Sequence, residues 1–283
     1  MIIGIAGVAR SGKDTVADHL VKNYEFVKVN LADPIKRAAQ AWYGFTDEQV
    51  WGQDKDKPDE RYPVGVRGLV GERVIYRRGP KGHLHEHHGT IREMLLENRK
   101  HPMAHVLFDG DYDVLVACSL ENLDLEQPFL TPRHAFQIIG TEVGRLIYPD
   151  TWTRLAVSTA KKLLAGGCRY NQREGLVPGY PSVKGVVIAD VRWPAGNEGQ
   201  AIRAAGGQLW WVQGRGGLEG QAAQHTSEKG LDCPDSTFQR LISNTSTIEV
   251  LHAQVDRLMR IEELKKEVQR DIDQGNLRPY DDA

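Results

Sequence analysis

The chain has 283 residues, with 36 Lys+Arg against 38 Asp+Glu and a formal charge of −2. Apolar residues make up 40% and charged residues 26%, which excludes collagen and wholesale disorder, and no apolar run approaches the ~20 residues of a membrane span. Near-neutrality excludes a global field that would gather nucleic acid, so an anionic ligand has to be held by one local cluster. Cys118, Cys168 and Cys233 are odd in number and far apart; they supply neither a disulfide framework nor a CxxC metal knuckle, and fit a reducing cytoplasm.

Residues 2–6, Ile-Ile-Gly-Ile-Ala, form a short apolar run with no basic leader, as in a strand buried on both faces. Val16, Ala17, Leu20 and Val21 then recur at helical spacing. Residues 26–31 predict a second strand, and Asp33-Pro34 opens a helix with proline at its favoured first position. From 46 to 127 the pattern turns irregular: a Lys/Asp run at 54–60, a hairpin around 67–78 and a histidine cluster at 83–88, together read as an insertion. Thr131-Pro132 caps a helix running through Phe136, Ile139, Val143 and Ile147, and a further helix spans 150–165, stopped by Gly166-Gly167. Residues 186–190 form a buried strand ending in Asp190, 198–205 a helix, and 209–212 another strand. Strands alternating with helices imply a parallel sheet. Residues 214–230 are glycine-rich, polar and without apolar period, and predict a mobile loop; residues 250–268 predict an amphipathic helix, core plus surface with a dimer face as the alternative.

The chemistry is concentrated in Gly7-Val8-Ala9-Arg10-Ser11-Gly12-Lys13, which matches the phosphate loop GxxxxGK and stands where that loop must, after a buried strand and at a helix N-terminus. Glycines let successive N–H groups turn toward phosphate oxygens, the helix end adds partial positive charge, and Lys13 reaches the β and γ phosphates. The hydroxyl that commonly follows the lysine is displaced: Asp14 stands there and Thr15 comes next. Either Thr15 takes a phosphate or metal role, or Mg²⁺ is held mainly through water with Asp14 and Asp190 as anchors; Asp14 also suits a first-turn carboxylate at the positive helix end. Asp190, at the carboxyl end of its strand, is placed as a metal-zone carboxylate, and Arg192 beside it as a cation for the transferred group. Asp33 is read as an acceptor-side base or as an N-cap. The histidines at 83, 85, 87 and 88 lack helical or knuckle geometry, and a solvated hairpin tip describes them better than a metal site.

The GKDT turn, Leu31-Ala32-Asp33-Pro34-Ile35-Lys36-Arg37, Gln137-Ile138-Ile139-Gly140-Thr141-Glu142, Asp190-Val191-Arg192 and Ile242-Ser243-Asn244-Thr245 together resemble the bacteriophage deoxynucleoside monophosphate kinases. The resemblance covers roughly residues 1–45, 131–160 and 184–260. It implies an α/β fold, a three-layer αβα sandwich of the P-loop NTPase type: one domain over 1–283 with core segments 1–45, 131–213 and 231–275, an acceptor-side insertion at 46–130, and a lid at 214–230. It implies transfer of the ATP γ-phosphate to a dNMP with Mg²⁺, for DNA precursor synthesis in the host cytoplasm. By the same resemblance Gly7, Arg10, Ser11, Gly12, Lys13, Asp14 and Thr15 cradle ATP, with Arg215 in the lid and Asn244 and Thr245 at the adenine. Lys36, Arg37 and Arg133 face the acceptor and its phosphate, Asp190 and Arg192 lie at the transfer zone, and Trp42 flanks the acceptor region. Two other readings stay open: a P-loop kinase with a hydroxyl acceptor, such as a nucleoside or a modified base in DNA, and a nucleotide-binding regulatory module. The second is weakened by the absence of NKxD and DxxG motifs, and a DNA substrate by the low net charge. The expected partners are small-molecule nucleotides, with no membrane.

Overall fold

A computed structural model describes residues 1–8, 10–65, 71–78, 85–95, 102–110, 114–126, 128–179, 182–192, 194, 196–214 and 233–276. The chain divides into two compact units, Met1–Ala38 with Ile139–Ala283, and Ala39–Ile138. In chain order the elements begin with β1 (Ile2–Ala6), α1 (Lys13–Tyr24), β2 (Phe26–Asn30) and α2 (Asp33–Tyr43). Next come α3 (Asp47–Trp51), β3 (Asp59–Pro63), β4 (Arg73–Arg78), β5 (His85–Leu95), β6 (Met103–Phe108), β7 (Leu115–Ser119), β8 (Leu123–Leu125), β9 (Phe129–Leu130) and α4 (Pro132–Gln137). A π-helical segment, Ile138–Arg145, leads to α5 (Thr151–Ala165), β10 (Cys168–Asn171), β11 (Gly175–Pro178), β12 (Gly185–Val191), α6 (Asn197–Ala204), β13 (Gln208–Gly214), β14 (Arg240–Asn244) and α7 (Ile248–Asp273). No helix among the described residues is long and apolar enough to cross a membrane.

The first unit is built on a five-stranded parallel sheet in the order β14-β13-β1-β12-β2, the parallel α/β arrangement that the alternation of elements implies. Period-two alternation sends successive side chains of each strand to opposite faces. Ile3 and Ile5 join Val187, Ala189, Trp210 and Val212 in one apolar cluster with Val16 and Leu20 of α1 and Leu251 and Val255 of α7. Ile2, Ala6, Val186 and Ile188 join a second with Ala156, Ala160 and Leu163 of α5 and Ile202 of α6. Both faces are apolar, which is why the strands read as unbroken hydrophobic runs.

Thr131 caps α4 as expected, its side chain accepting from His134 N at 3.2 Å, with Pro132 in the first turn. The helix expected through Ile147 runs unbroken to that residue but changes type: beyond Gln137 it widens into the π segment, Ile138–Arg145, and returns to α for its last two residues. Trp152 Nε1 donates to Gly140 O at 2.7 Å, and such an intruding partner for a helical carbonyl belongs with a local change of helix type.

The stretch read as irregular is regular in the second unit. Strands β7-β6-β5-β4-β8 form an antiparallel sheet over a cluster of Val74, Ile91, Ala104, Val106, Phe108, Cys118 and Leu123. Of the hairpin expected at 67–78, residues 67–70 lie outside the described residues, and Arg73–Arg78 form β4, paired with β5, Val74 opposite Gly89 and Tyr76 opposite His87. His87 and His88 are therefore strand residues rather than a tip. His88 Nδ1 lies 2.8 Å from Glu126 Oε1, and Glu126 also accepts from Arg73 at 2.7 Å. Among the described residues no group of three or more His, Cys, Asp or Glu is arranged to hold a metal ion.

Trp210 is fully buried, whereas Leu146 is 83% exposed. Trp210→Ala is expected to lower unfolding free energy by about 3–5 kcal/mol, and Leu146→Ser to change it by less than about 0.5 kcal/mol; urea titration of the two variants measures the contrast.

Candidate active site

The turn between β1 and α1 is set by close backbone approach. A Cβ on Gly7 would stand 2.5 Å from Ser11 Oγ and 2.7 Å from Val212 O, and one on Gly214 would stand 2.8 Å from Ser11 Cα. Gly12, immediately before α1, has φ +98°, a left-handed conformation that glycine adopts without penalty. Arg10 takes φ +63° as well and is exposed. Asn244, at the end of β14, donates from Nδ2 to Ser11 O at 2.8 Å, so its observed contact is with the loop backbone. Ser11 Oγ is buried without a hydrogen-bond partner. A buried hydroxyl left unsatisfied costs about 1–3 kcal/mol, and a ligand oxygen at the loop would relieve it.

Lys13 is only 7% exposed. Its Nζ lies 3.5 Å from Val8 O and 3.8 Å from Asp190 Oδ1, long contacts for a buried ammonium. Asp190, next to last in its strand, takes φ +70° and is shared with Arg192, whose Nη2 is 2.9 Å from the same oxygen. Lys13, Asp190 and Arg192, named separately from the sequence, thus form one cluster at the carboxyl ends of β1 and β12, where ligands of parallel sheets bind. Asp14 is exposed and turned to Lys28, 2.9 Å away, which Asp18 also approaches at 3.1 Å. These two carboxylates raise the Lys28 pKa against the opposing effect of its burial. Thr15 is half-buried in the first turn of α1. Thr245 is exposed, its Oγ1 3.2 Å from Ser243 Oγ.

On the other side of β2, a cavity of about 220 Å³ is lined by Asn30, Pro34, Arg37, Trp152, Tyr170 and Glu174, among others. Asp33 stands behind it, 1% exposed. Its carboxylate accepts from Tyr170 Oη at 2.9 Å and from Asn30 N and Nδ2 at 3.3 and 3.2 Å. It turns back to the strand end rather than capping α2, and the helix begins at Asp33 itself, which puts Pro34 at the second position. Burial pushes the Asp33 carboxyl up and the Tyr170 phenol up to about 12. Arg37 Nη1 donates to Gln172 O at 2.7 Å and lies 3.4 Å from Tyr170 Oη. Lys36 shares the helix and is half-buried. Sequence reasoning missed Tyr170 and Glu174, which sit on or beside the β10-β11 hairpin; the turn signal Asn171-Gln172-Arg173-Glu174-Gly175 between two short runs was the available clue.

Arg133 and Trp42 belong to the second unit. Arg133 is bound by both carboxylate oxygens of Asp56, Nη2 to Oδ2 at 2.9 Å, and this guanidinium holds the Asp56 carboxyl below its usual range. Trp42 is 61% exposed. Arg215 and nearly all of the expected lid lie outside the described residues.

A carboxyl whose pKa is raised by folding favours the folded state below its unfolded pKa and loses that advantage as pH climbs through the folded one. Tyr170→Phe removes a hydrogen bond to the charged form of Asp33. It is therefore expected to cost about 1–3 kcal/mol of stability at pH 7 and much less at pH 3.5; urea titrations giving equal losses at the two pH values would contradict this.

Residues 1–58 match the family model described as deoxynucleotide monophosphate kinase. A protein of Acanthamoeba polyphaga mimivirus, named as a candidate deoxynucleotide monophosphate kinase, is 36% identical over 64 residues, 22% of this chain and 33% of that protein. The deoxynucleotide monophosphate kinase of Enterobacteria phage T4 is 57% identical over 42 residues, 14% of this chain and 17% of that protein. The match to this chain thus spans a third or less of either relative's length. The enzyme of the same name from Escherichia phage RB69 is 24% identical over 278 residues, 92% of this chain and 99% of that protein. The chain is similar to deoxynucleotide monophosphate kinases of phages, at 57% identity over a short stretch and at 24% along nearly its whole length.

Proposed function

We propose that the chain is a deoxynucleoside monophosphate kinase that transfers the γ-phosphoryl group of ATP to a dNMP and releases dNDP, on a three-layer αβα core of the P-loop type closed by residues 214–230. The observation that carries this reading is the buried Lys13 ammonium, with its long contacts, beside the unpartnered Ser11 hydroxyl. A phosphate chain seated there satisfies both groups. The glycine cradle and the orphan hydroxyl fit ATP, and Thr15 and Asp190 would be the oxygen donors that hold Mg²⁺. ATP supplies the transferable phosphoryl group, and Mg²⁺ screens the charge on its oxygens.

The chain's own residues position and neutralise. Lys13 and Arg192 converge on one side of Asp190, two cations that stabilise negative charge spread over a transferred phosphoryl group. The cavity bounded by Arg37, Tyr170 and Trp152 takes the acceptor nucleotide, with Lys36 on the same helix. The resemblance assigns Arg133 to an acceptor phosphate; within its own unit Asp56 holds it in an exposed ion pair, worth at most about 1 kcal/mol. A monophosphate has its second pKa near 6, so its oxygen is already an anionic nucleophile at neutral pH. Asp33 agrees with that chemistry, because its three accepted hydrogen bonds occupy the one carboxylate that a hydroxyl-directed kinase would use as base.

Incubation with γ-labelled ATP, Mg²⁺ and, separately, each dNMP, each deoxynucleoside and DNA is expected to place label on at least one dNMP. Label only on a hydroxyl acceptor, or only on released phosphate, would replace this reading. Lys13→Ala is expected to lower transfer by about 10²–10³-fold with an unchanged circular dichroism spectrum, and normal turnover in that variant would remove the loop from the mechanism.

A further inference from the structure

Behind the Asp190-Arg192 turn lies a charged residue that the transfer chemistry above does not use. Glu198, in the first turn of α6, is 3% exposed. Its Oε2 accepts the backbone N–H of Arg192 at 2.6 Å, and its Oε1 lies 3.5 Å from Arg145 Nη2, at the end of the π segment. A carboxylate at a helix N-terminus serves the dipole from the surface; this one is buried and bonds a backbone group six residues earlier, outside its own helix. Burying an ion costs several kcal/mol unless charge and hydrogen bonds compensate it, and Arg145 with the Arg192 amide supplies both. The neighbouring glycine brings the helix this close: a Cβ on Gly199 would collide with the Pro194 carbonyl.

We propose that Glu198 is a positioning residue for phosphoryl transfer, its carboxylate clamping the Arg192 backbone so that the guanidinium stays beside Asp190 and Lys13. The proposal rests on the kinase reading of that cluster. Arg192 stands two residues after the left-handed Asp190, where the chain has left the strand. Preorganised charge stabilises a transition state only if its carrier is held in place; the Glu198 bond ties the backbone at Arg192 itself.

Glu198→Gln retains the size but places an amide N–H against Arg145 or Arg192. In the labelled-ATP assay with the preferred dNMP, kcat is expected to fall about 10–100-fold, while the Kd for a fluorescent ATP analogue stays within about twofold. In an Arg192→Ala background the same change is expected to add nothing, because Glu198 acts through Arg192. A kcat near wild type, or losses that multiply in the double variant, would overturn the proposal. Gly199→Ala, which pushes α6 away without touching charge, is expected to lower kcat in the same way, and an unaltered kcat there counts against it. Hydrogen exchange of the wild-type Arg192 amide decides the geometry independently of any variant's folding: protection agrees with the clamp, and exchange at an open-loop rate overturns it. A wild-type protein that labels no dNMP would instead sink the kinase reading, a result distinct from all of these.

Discussion

How closely one short loop can be pressed against the ends of β13 and β14 governs the whole amino-terminal site. The Ser11 carbonyl receives Asn244 Nδ2 at 2.8 Å, and Gly7 and Gly214 leave no room for a side chain between loop and strand. Those contacts depend in turn on the parallel order β14-β13-β1-β12, which aligns the carboxyl ends of strands that are far apart in the chain. Residues of the loop, Asp190, Arg192 and Asn244 come to one end of the sheet because all five strands run in the same direction. The buried Ser11 hydroxyl follows from the same crowding.

Charge in this region alternates from the loop outward. Lys13 faces Asp190, Asp190 faces Arg192, Glu198 holds the Arg192 amide, and Arg145 approaches Glu198. Each buried or half-buried ion has an opposite neighbour, which is the condition for keeping ions out of water at tolerable cost. The exception in quality is the 3.8 Å contact of Lys13, the longest of the carboxylate contacts in this row and the one nearest the loop. In this row three cations, Lys13, Arg192 and Arg145, stand against two carboxylates, a local positive excess in a chain of formal charge −2.

Much of the first unit was legible because its strands are buried on both faces and its helices carry ordinary stops. Residues 2–6 and 186–189 are unbroken apolar runs, and Gly166 and Gly167, both at positive φ, close α5 where the sequence says it ends. The second unit was illegible for the converse reason. In Met103–Phe108 the buried positions Ala104, Val106 and Phe108 alternate with Met103, His105 and Leu107, and a one-faced sheet with apolar and histidine residues on its other face leaves no clean pattern. The π segment also escaped notice: the cue is a partner, Trp152, twelve residues beyond the Gly140 carbonyl it binds, and no local periodicity encodes that. Individual site residues could be named from the phosphate loop and strand ends, but their partners Lys28, Tyr170 and Glu198 could not, since tertiary packing alone brings them near.

The cavity beside Asp33 turns on what a buried carboxylate is for. Asp33 is the most deeply buried acid in the wall behind the cavity, raised in pKa by its burial and held by the Tyr170 phenol and Asn30. A general base must have a lone pair aimed at the proton it takes, within about 2.6–3.2 Å. A carboxylate whose oxygens already receive a phenol, an amide side chain and a backbone N–H is organised instead to fix those donors. Tyr170 is thereby held against Arg37, whose guanidinium lies 5.9 Å from the ring centroid, and the two together give the cavity a rigid edge. Such an edge suits selection of a ligand by shape and charge; on the proposed reading, the nucleophile's negative charge arrives on the substrate itself.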